Sequence, residues 1–92
     1  LVGHVGDGNF HFGYLINPND VGERERAERL NHQLVTRALA MGGTCTGEHG
    51  VGIHKMGFLL DAAGAGAVDM MRAIKRALDP QNILNPGKIF TL

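Results

Sequence analysis

A single cysteine, no net charge and no long apolar run define this 92-residue sequence first by what they exclude. Cys45 has no second cysteine to pair with, so an internal disulfide is ruled out and a reducing compartment is expected. Its neighbours Thr44 and Thr46 are small and uncharged, which reads as a packing thiol rather than a reactive one. Lys plus Arg and Asp plus Glu balance at 9 each, leaving no electrostatic footprint for nucleic acid or an anionic membrane. No apolar stretch approaches the ~18–20 residues that cross a bilayer, and no signal-peptide pattern opens the chain. These absences set the expectation of a cytoplasmic protein, at most peripheral to a membrane. There is no internal repeat and no low-complexity tract. There is also no initiating Met: Leu1-Val2-Gly3 leads straight into His4, which reads as the tail of a longer protein, cut just before a strand.

What remains is a globular composition, 43% hydrophobic, in a length that holds one domain with a modest core. Leu1 to Val5 and Phe10 to Ile16 read as two strands around the turn residues Gly6-Asp7-Gly8-Asn9. Phe10, Phe12, Tyr14 and Ile16 alternate with His11, Gly13 and Leu15, which predicts an aromatic core face and a His11 face opposite it. Asp20 followed by Glu23 predicts a capped helix start. Ala27, Leu30, Leu34, Ala38 and Met41 then form an amphipathic stripe that ends at Gly42-Gly43. Lys55 to Asp61 predicts a helical turn. Val68, Met71, Ile74, Ala77 and Leu78 mark a second amphipathic helix, stopped by Asp79-Pro80. The expected fold class is therefore α+β: a short antiparallel β-hairpin or sheet packed with two amphipathic helices, plus an irregular tail.

The chemistry-bearing residues gather in the two most glycine-rich stretches, "GHVGDGNFH" (Gly3 to His11) and "TGEHGVG" (Thr46 to Gly52). If residues 6 to 9 form the hairpin loop, His4 faces His11 on one side, with Cβ atoms about 4.5–5.5 Å apart. Two imidazoles so held reach one divalent metal, and Glu48 is the best third ligand; two His and a carboxylate leave a coordination position open. The same spacing also fits histidines that are merely hydrogen-bonded near turns, and a bulge would move one to the other face. His49 adjoins Glu48, so in an extended loop the two side chains point apart, one toward a metal and the other toward a substrate. His32 reads as helix surface and His54 as either surface or site. Lys55 and Lys88 are cations beside glycine-rich segments, able to meet an anion or simply be solvated. No G-x-G-x-x-G opens a helix, so there is no dinucleotide fingerprint.

Taken in order, "HVGDGNFH", "TGEHGVG" and "DPQNILNPGKIF" resemble the C-terminal part of the FAD-linked oxidases, among the vanillyl-alcohol-oxidase-like flavoproteins. The similarity is greatest to the D-lactate dehydrogenase, glycolate oxidase FAD subunit and D-2-hydroxyglutarate dehydrogenase group, and it spans essentially the whole chain. The resemblance implies that residues 1–54 end a cap domain, that 55–92 form a helical tail, and that an N-terminal FAD-binding domain belongs to the same protein outside this chain. It implies a divalent metal such as zinc, manganese or iron on His4, His11 and Glu48, with His49 as the base taking a hydroxyl proton. It also implies that Asn9, Asn85 and Lys88 lie near flavin and substrate, and that hydride passes from the Cα of a 2-hydroxy acid to FAD. Gly13 stands where the hydroxyglutarate-type members carry a polar substrate contact, which points to a smaller substrate such as lactate or glycolate. Expected partners are the 2-hydroxy acid, the FAD domain, an electron-acceptor subunit and a second copy of the chain, with no nucleic acid and no transmembrane segment. Two other classes stay open at this point: a flavin-independent metal-binding or metal-hydrolase module, and a non-catalytic structural or oligomerisation domain.

Overall fold

Helix α1 (Val21–Ala40) begins where the sequence places its cap: Asp20 Oδ1 accepts from the Glu23 N–H at 3.1 Å. The Glu23 carboxylate does not return to Asp20; it accepts from the Asn17 N–H at 2.6 Å, tying the preceding turn to the first turn of the helix. At the other end Gly43 N–H bonds to Ala38 O at 2.8 Å and Gly42 N–H to Leu39 O at 3.0 Å, the paired bonds of a Schellman ending. Along the stripe Ala27, Leu34 and Ala38 are half-buried, whereas Leu30 and Met41 stay exposed.

The computed structural model describes all 92 residues. Past α1 the chain forms α2 (Met56–Ala63) and α3 (Ala65–Leu78), so the expected turn at 55–61 is a helix in its own right. Gly64 separates the two at φ 82°, ψ 159°, a region essentially closed to residues with a Cβ. Helix α2 packs on both α1 and α3. Its Leu59 is buried, as are Val68 of α3 and Cys45 of the preceding loop, so Cys45 is a packed thiol in this structure. Ile74 and Leu78, expected on the buried stripe of α3, face outward.

The expected β-hairpin is not present, and the fold is mostly helical rather than α+β. A single antiparallel bridge joins Val2 to His11, through His11 N–H to Val2 O at 2.6 Å and Val2 N–H to His11 O at 3.1 Å. His11 is therefore opposite Val2, not His4. The reason lies in the intervening loop. Val5–Asp7 form one 3-10 turn, and His4 O accepts from both Asp7 N–H at 2.9 Å and Asn9 N–H at 3.2 Å. Groups that a longer ladder would need are thus spent locally. A lone two-stranded hairpin is marginal in any case. The alternating run consequently has no strand partner beyond His11, and Phe10, Phe12 and Ile16 are exposed instead of forming a core face. Phe12 and Tyr14 rest on each other, ring centroids 4.9 Å apart.

Only four residues are buried, and the radius of gyration is 15.5 Å, against about 12 Å for a compact chain of this length. The molecule is open and flattened, and specific polar links carry much of its organisation. The tail is the clearest case. Asp79 is buried at the end of α3 and accepts from Ile83 N–H at 3.0 Å and Leu84 N–H at 2.9 Å. Lys75 Nζ donates to Asp79 Oδ2 and to the Leu84 carbonyl. Arg72 Nε donates to Thr91 O at 2.7 Å, and Ile89 N–H to Gly52 O at 2.8 Å, which draws the tail onto the second glycine-rich loop.

Two expectations follow from these links. The Lys75 hydrogen bond, then the Ile83 and Leu84 amides, hold the Asp79 carboxyl below its ordinary value despite burial. A depressed carboxylate stabilises the tail above its unfolded pKa, about 3.9, and that contribution fades as pH falls through the folded value. Protection of the Ile83 and Leu84 amides against hydrogen exchange should therefore stay level from neutrality to about pH 5 and decline below about pH 4. In Asp79→Asn it should be low throughout. Removal of the α1 cap by Asp20→Ala should cost about 0.5–2 kcal/mol, read as a fall in the denaturation midpoint.

Candidate functional site

The two glycine-rich loops meet at the Glu48 carboxylate. His11 Nε2 lies 2.6 Å from Glu48 Oε1, a hydrogen bond between residues 37 apart in the chain. His11 is fixed there by its backbone bridge to Val2. His49 Nε2 lies 3.6 Å from the same Oε1, and its ring is tilted against that of His11 with centroids 4.8 Å apart. His4 Nε2 lies 3.9 Å from the other oxygen, Oε2. At that range His4 and Glu48 do not hydrogen-bond.

Glu48 and His49 do not point apart as an extended loop would require. The backbone bends at Gly47, Glu48 and His49, which cancels the alternation of an extended chain and turns both side chains to one side. The tightest potential ligand group is thus His11, Glu48 and His49, whose donor atoms all lie within 4.8 Å of one another. His4 stands at its edge. The cluster is open to solvent: the His4 and His49 side chains are 70% and 72% exposed. Contacts this exposed contribute about 0–1 kcal/mol at most, so they orient the groups more than they stabilise the fold. Two imidazole nitrogens and a carboxylate oxygen form a donor set suited to zinc and similar divalent metals. The same groups also suit proton transfer with a nearby hydroxyl.

The other candidates fall elsewhere. The Asn9 side chain lies against Gly47, beside the cluster. Asn85 and Lys88 line a separate cavity of about 320 Å³ with Lys75, Asn82 and Phe90, between α3 and the tail. His32 is on α1 with its ring 5.3 Å from that of Phe58 on α2, and His54 is exposed in the turn before α2. Sequence reasoning missed the tail anchor. Asp79 was expected only as a helix stop, although Lys75 and Asp79 stand at i, i+4 and Asp-Pro favours a turn.

Comparison of the sequence with known proteins identifies its family. The family model described as FAD linked oxidases, C-terminal domain, matches residues 1–89. A protein named probable D-lactate dehydrogenase, mitochondrial, from Danio rerio is 48% identical over 92 residues, covering 100% of this chain and 18% of that protein. From Arabidopsis thaliana, D-lactate dehydrogenase [cytochrome], mitochondrial, is 51% identical over 89 residues, 97% of this chain and 16% of that protein. Glycolate oxidase subunit GlcD of Bacillus subtilis is 44% identical over 88 residues, 96% of this chain and 19% of that protein. The chain thus spans less than a fifth of the length of these relatives. With the match running through both glycine-rich loops, the helices and the tail, the chain belongs to the C-terminal domain family of the FAD linked oxidases.

Proposed function

We propose that this chain is the substrate-facing part of a flavin-dependent 2-hydroxy-acid oxidoreductase of the lactate or glycolate type. The observation that carries the reading is the convergence of His11, Glu48 and His49, with His4 at the edge, on one solvent-open point. In the complete protein, His11 and Glu48 would hold a divalent cation together with His4. His49 is left to accept the proton of the substrate hydroxyl, a role suited to an imidazole near neutral pH. The cation, when bound, would polarise the carboxylate and hydroxyl oxygens of the substrate as a Lewis acid. FAD bound by the complete protein would supply the redox chemistry, as acceptor of the reducing equivalents at the substrate Cα.

The chain's own residues suit these groups to different degrees. The nitrogen and oxygen donors around Glu48 match a divalent cation in kind and number. The cavity at Asn85 and Lys88, about 320 Å³, is at the small end for a ligand site. It suits an edge of the flavin, with the remainder held by a flavin-binding domain of the same protein. Gly13 has no side chain with which to hold a second substrate carboxylate, which favours a small acid. The word subunit in the Bacillus subtilis name supports a partner subunit, for which electron acceptance is the role proposed. No helix is long and apolar enough to cross a membrane, and the cytoplasmic location is proposed on composition alone.

One observation favours a second reading of the same site. The 2.6 Å contact joins His11 directly to Glu48, as in a carboxylate–imidazole dyad that orients a ring for acid–base work with no cation. Metal analysis of the full-length enzyme separates the two. In the first reading a divalent metal copurifies or binds near one per chain, chelation lowers turnover, and Glu48→Gln abolishes metal uptake. In the second, activity is indifferent to chelators. In either case His49→Ala should lower turnover about 10²–10⁴-fold while flavin content stays unchanged; full turnover by that variant would remove His49 from the chemistry.

A further inference from the structure

We infer that the Asn9 side chain is a wedge that sets the spacing of the candidate site, and that position 47 is glycine because this side chain occupies the space a Cβ there would fill, while position 3 is glycine because the main chain at Asn9 and Phe10 passes against it. A Cβ built on Gly47 would overlap Asn9 Oδ1 and lie 2.8 Å from its Cγ. A Cβ on Gly3 would overlap the Asn9 carbonyl oxygen and lie 2.5 Å from Phe10 Cα. Neither glycine has positive φ, so backbone conformation does not require glycine at either place. Space does.

The positions of these contacts along the chain give them their consequence. Gly3 directly precedes His4, Gly47 directly precedes Glu48, and Asn9 is two residues before His11. His4 and Glu48 therefore each directly follow a glycine that lies against Asn9, and His11 is two residues beyond Asn9 in the same loop. The Asn9 N–H bond to His4 O, at 3.2 Å, fixes the wedge to the first loop. No side-chain hydrogen bond reaches from Asn9 across to the second loop, so its hold on that loop is steric. Ligand distances in metal sites tolerate about ±0.2 Å. Displacing one loop by a carbon–carbon bond length, about 1.5 Å, would carry His11 and Glu48 out of hydrogen-bond range and spoil a shared cation site. Asn9 is thus a positioning residue that acts through His4, His11 and Glu48. This inference rests on reading the cluster as a metal site, but its geometric core does not.

A four-way comparison in the full-length protein tests it: unchanged, Gly47→Ala, Asn9→Ala, and both together. The probes are Co²⁺ titration followed by visible absorption, and crystal structures of metal-free protein giving the His11 Nε2 to Glu48 Oε1 distance. Gly47→Ala alone should weaken Co²⁺ binding about 10–100-fold, the usual effect of disturbing a ligand's support, and should lengthen the His11–Glu48 contact. In the Asn9→Ala background the same Gly47→Ala change should do neither, because only the residue-9 Cβ remains there, at 3.6 Å, an ordinary contact. A Gly47→Ala change that is harmless alone, or equally damaging in both backgrounds, overturns the wedge. If Gly47→Ala fails to fold, recovery of folded protein by the double variant supports the wedge and continued failure overturns it. If the unchanged protein takes up no Co²⁺, the metal reading fails while the crystallographic distances still decide the role of Asn9.

Discussion

Organisation of the site rests on one long-range contact, the hydrogen bond between His11 and Glu48. It joins two loops that no sheet connects. With four residues buried, hydrophobic burial within this chain places the three helices but gives little purchase on residues 1–20. The loops are placed instead by polar links and by shape: the Val2–His11 bridge, the packing of Asn9 beside Gly47, and the Ile89 bond to Gly52. Each is weak alone. Together they bring all three sequence motifs to neighbouring positions.

That economy has a chemical use. A carboxylate in contact with one imidazole and close to two others, all partly hydrated, costs little to rearrange. A deeply buried charge cluster would carry a large desolvation penalty and resist any change of partners. An open cluster can exchange its internal hydrogen bond for a ligand. The price is precision, and the close approach at Gly47 restores some of it, because excluded volume holds position without a directional bond.

The tail follows a different logic. Asp79 is buried, yet its carboxylate receives two backbone amides and an ammonium, so its demand for partners is met inside the protein. This turns the chain sharply after α3, and Lys75 and Leu84 of the knot also line the cavity of Asn85 and Lys88. A short polar knot thus does what the thin apolar core cannot.

The sequence by itself determined the features whose interactions close within a few residues. The start of α1 at Asp20, its ending at Gly42-Gly43 and the stop of α3 at Asp79 were legible because caps and helix bonds span three to five positions. The glycine-rich motifs, with His4, His11, Glu48 and His49 as candidate residues in them, were legible as residue types in order along the chain. Tertiary structure decided what depends on distant groups. Alternation from Phe10 to Ile16 marks a strand only if a partner offers its backbone, and here His4 O is already taken by Asp7 and Asn9. The apolar stripe of α3 is buried at Val68 yet open at Ile74 and Leu78, since α2 covers only part of it. His49 turns toward Glu48 because the loop bends, and position 47 has room only for glycine because Asn9, 38 positions earlier, fills the space beside it. Periodicity describes a chain's local preference; pairing register, burial and side-chain direction are properties of whatever the chain meets.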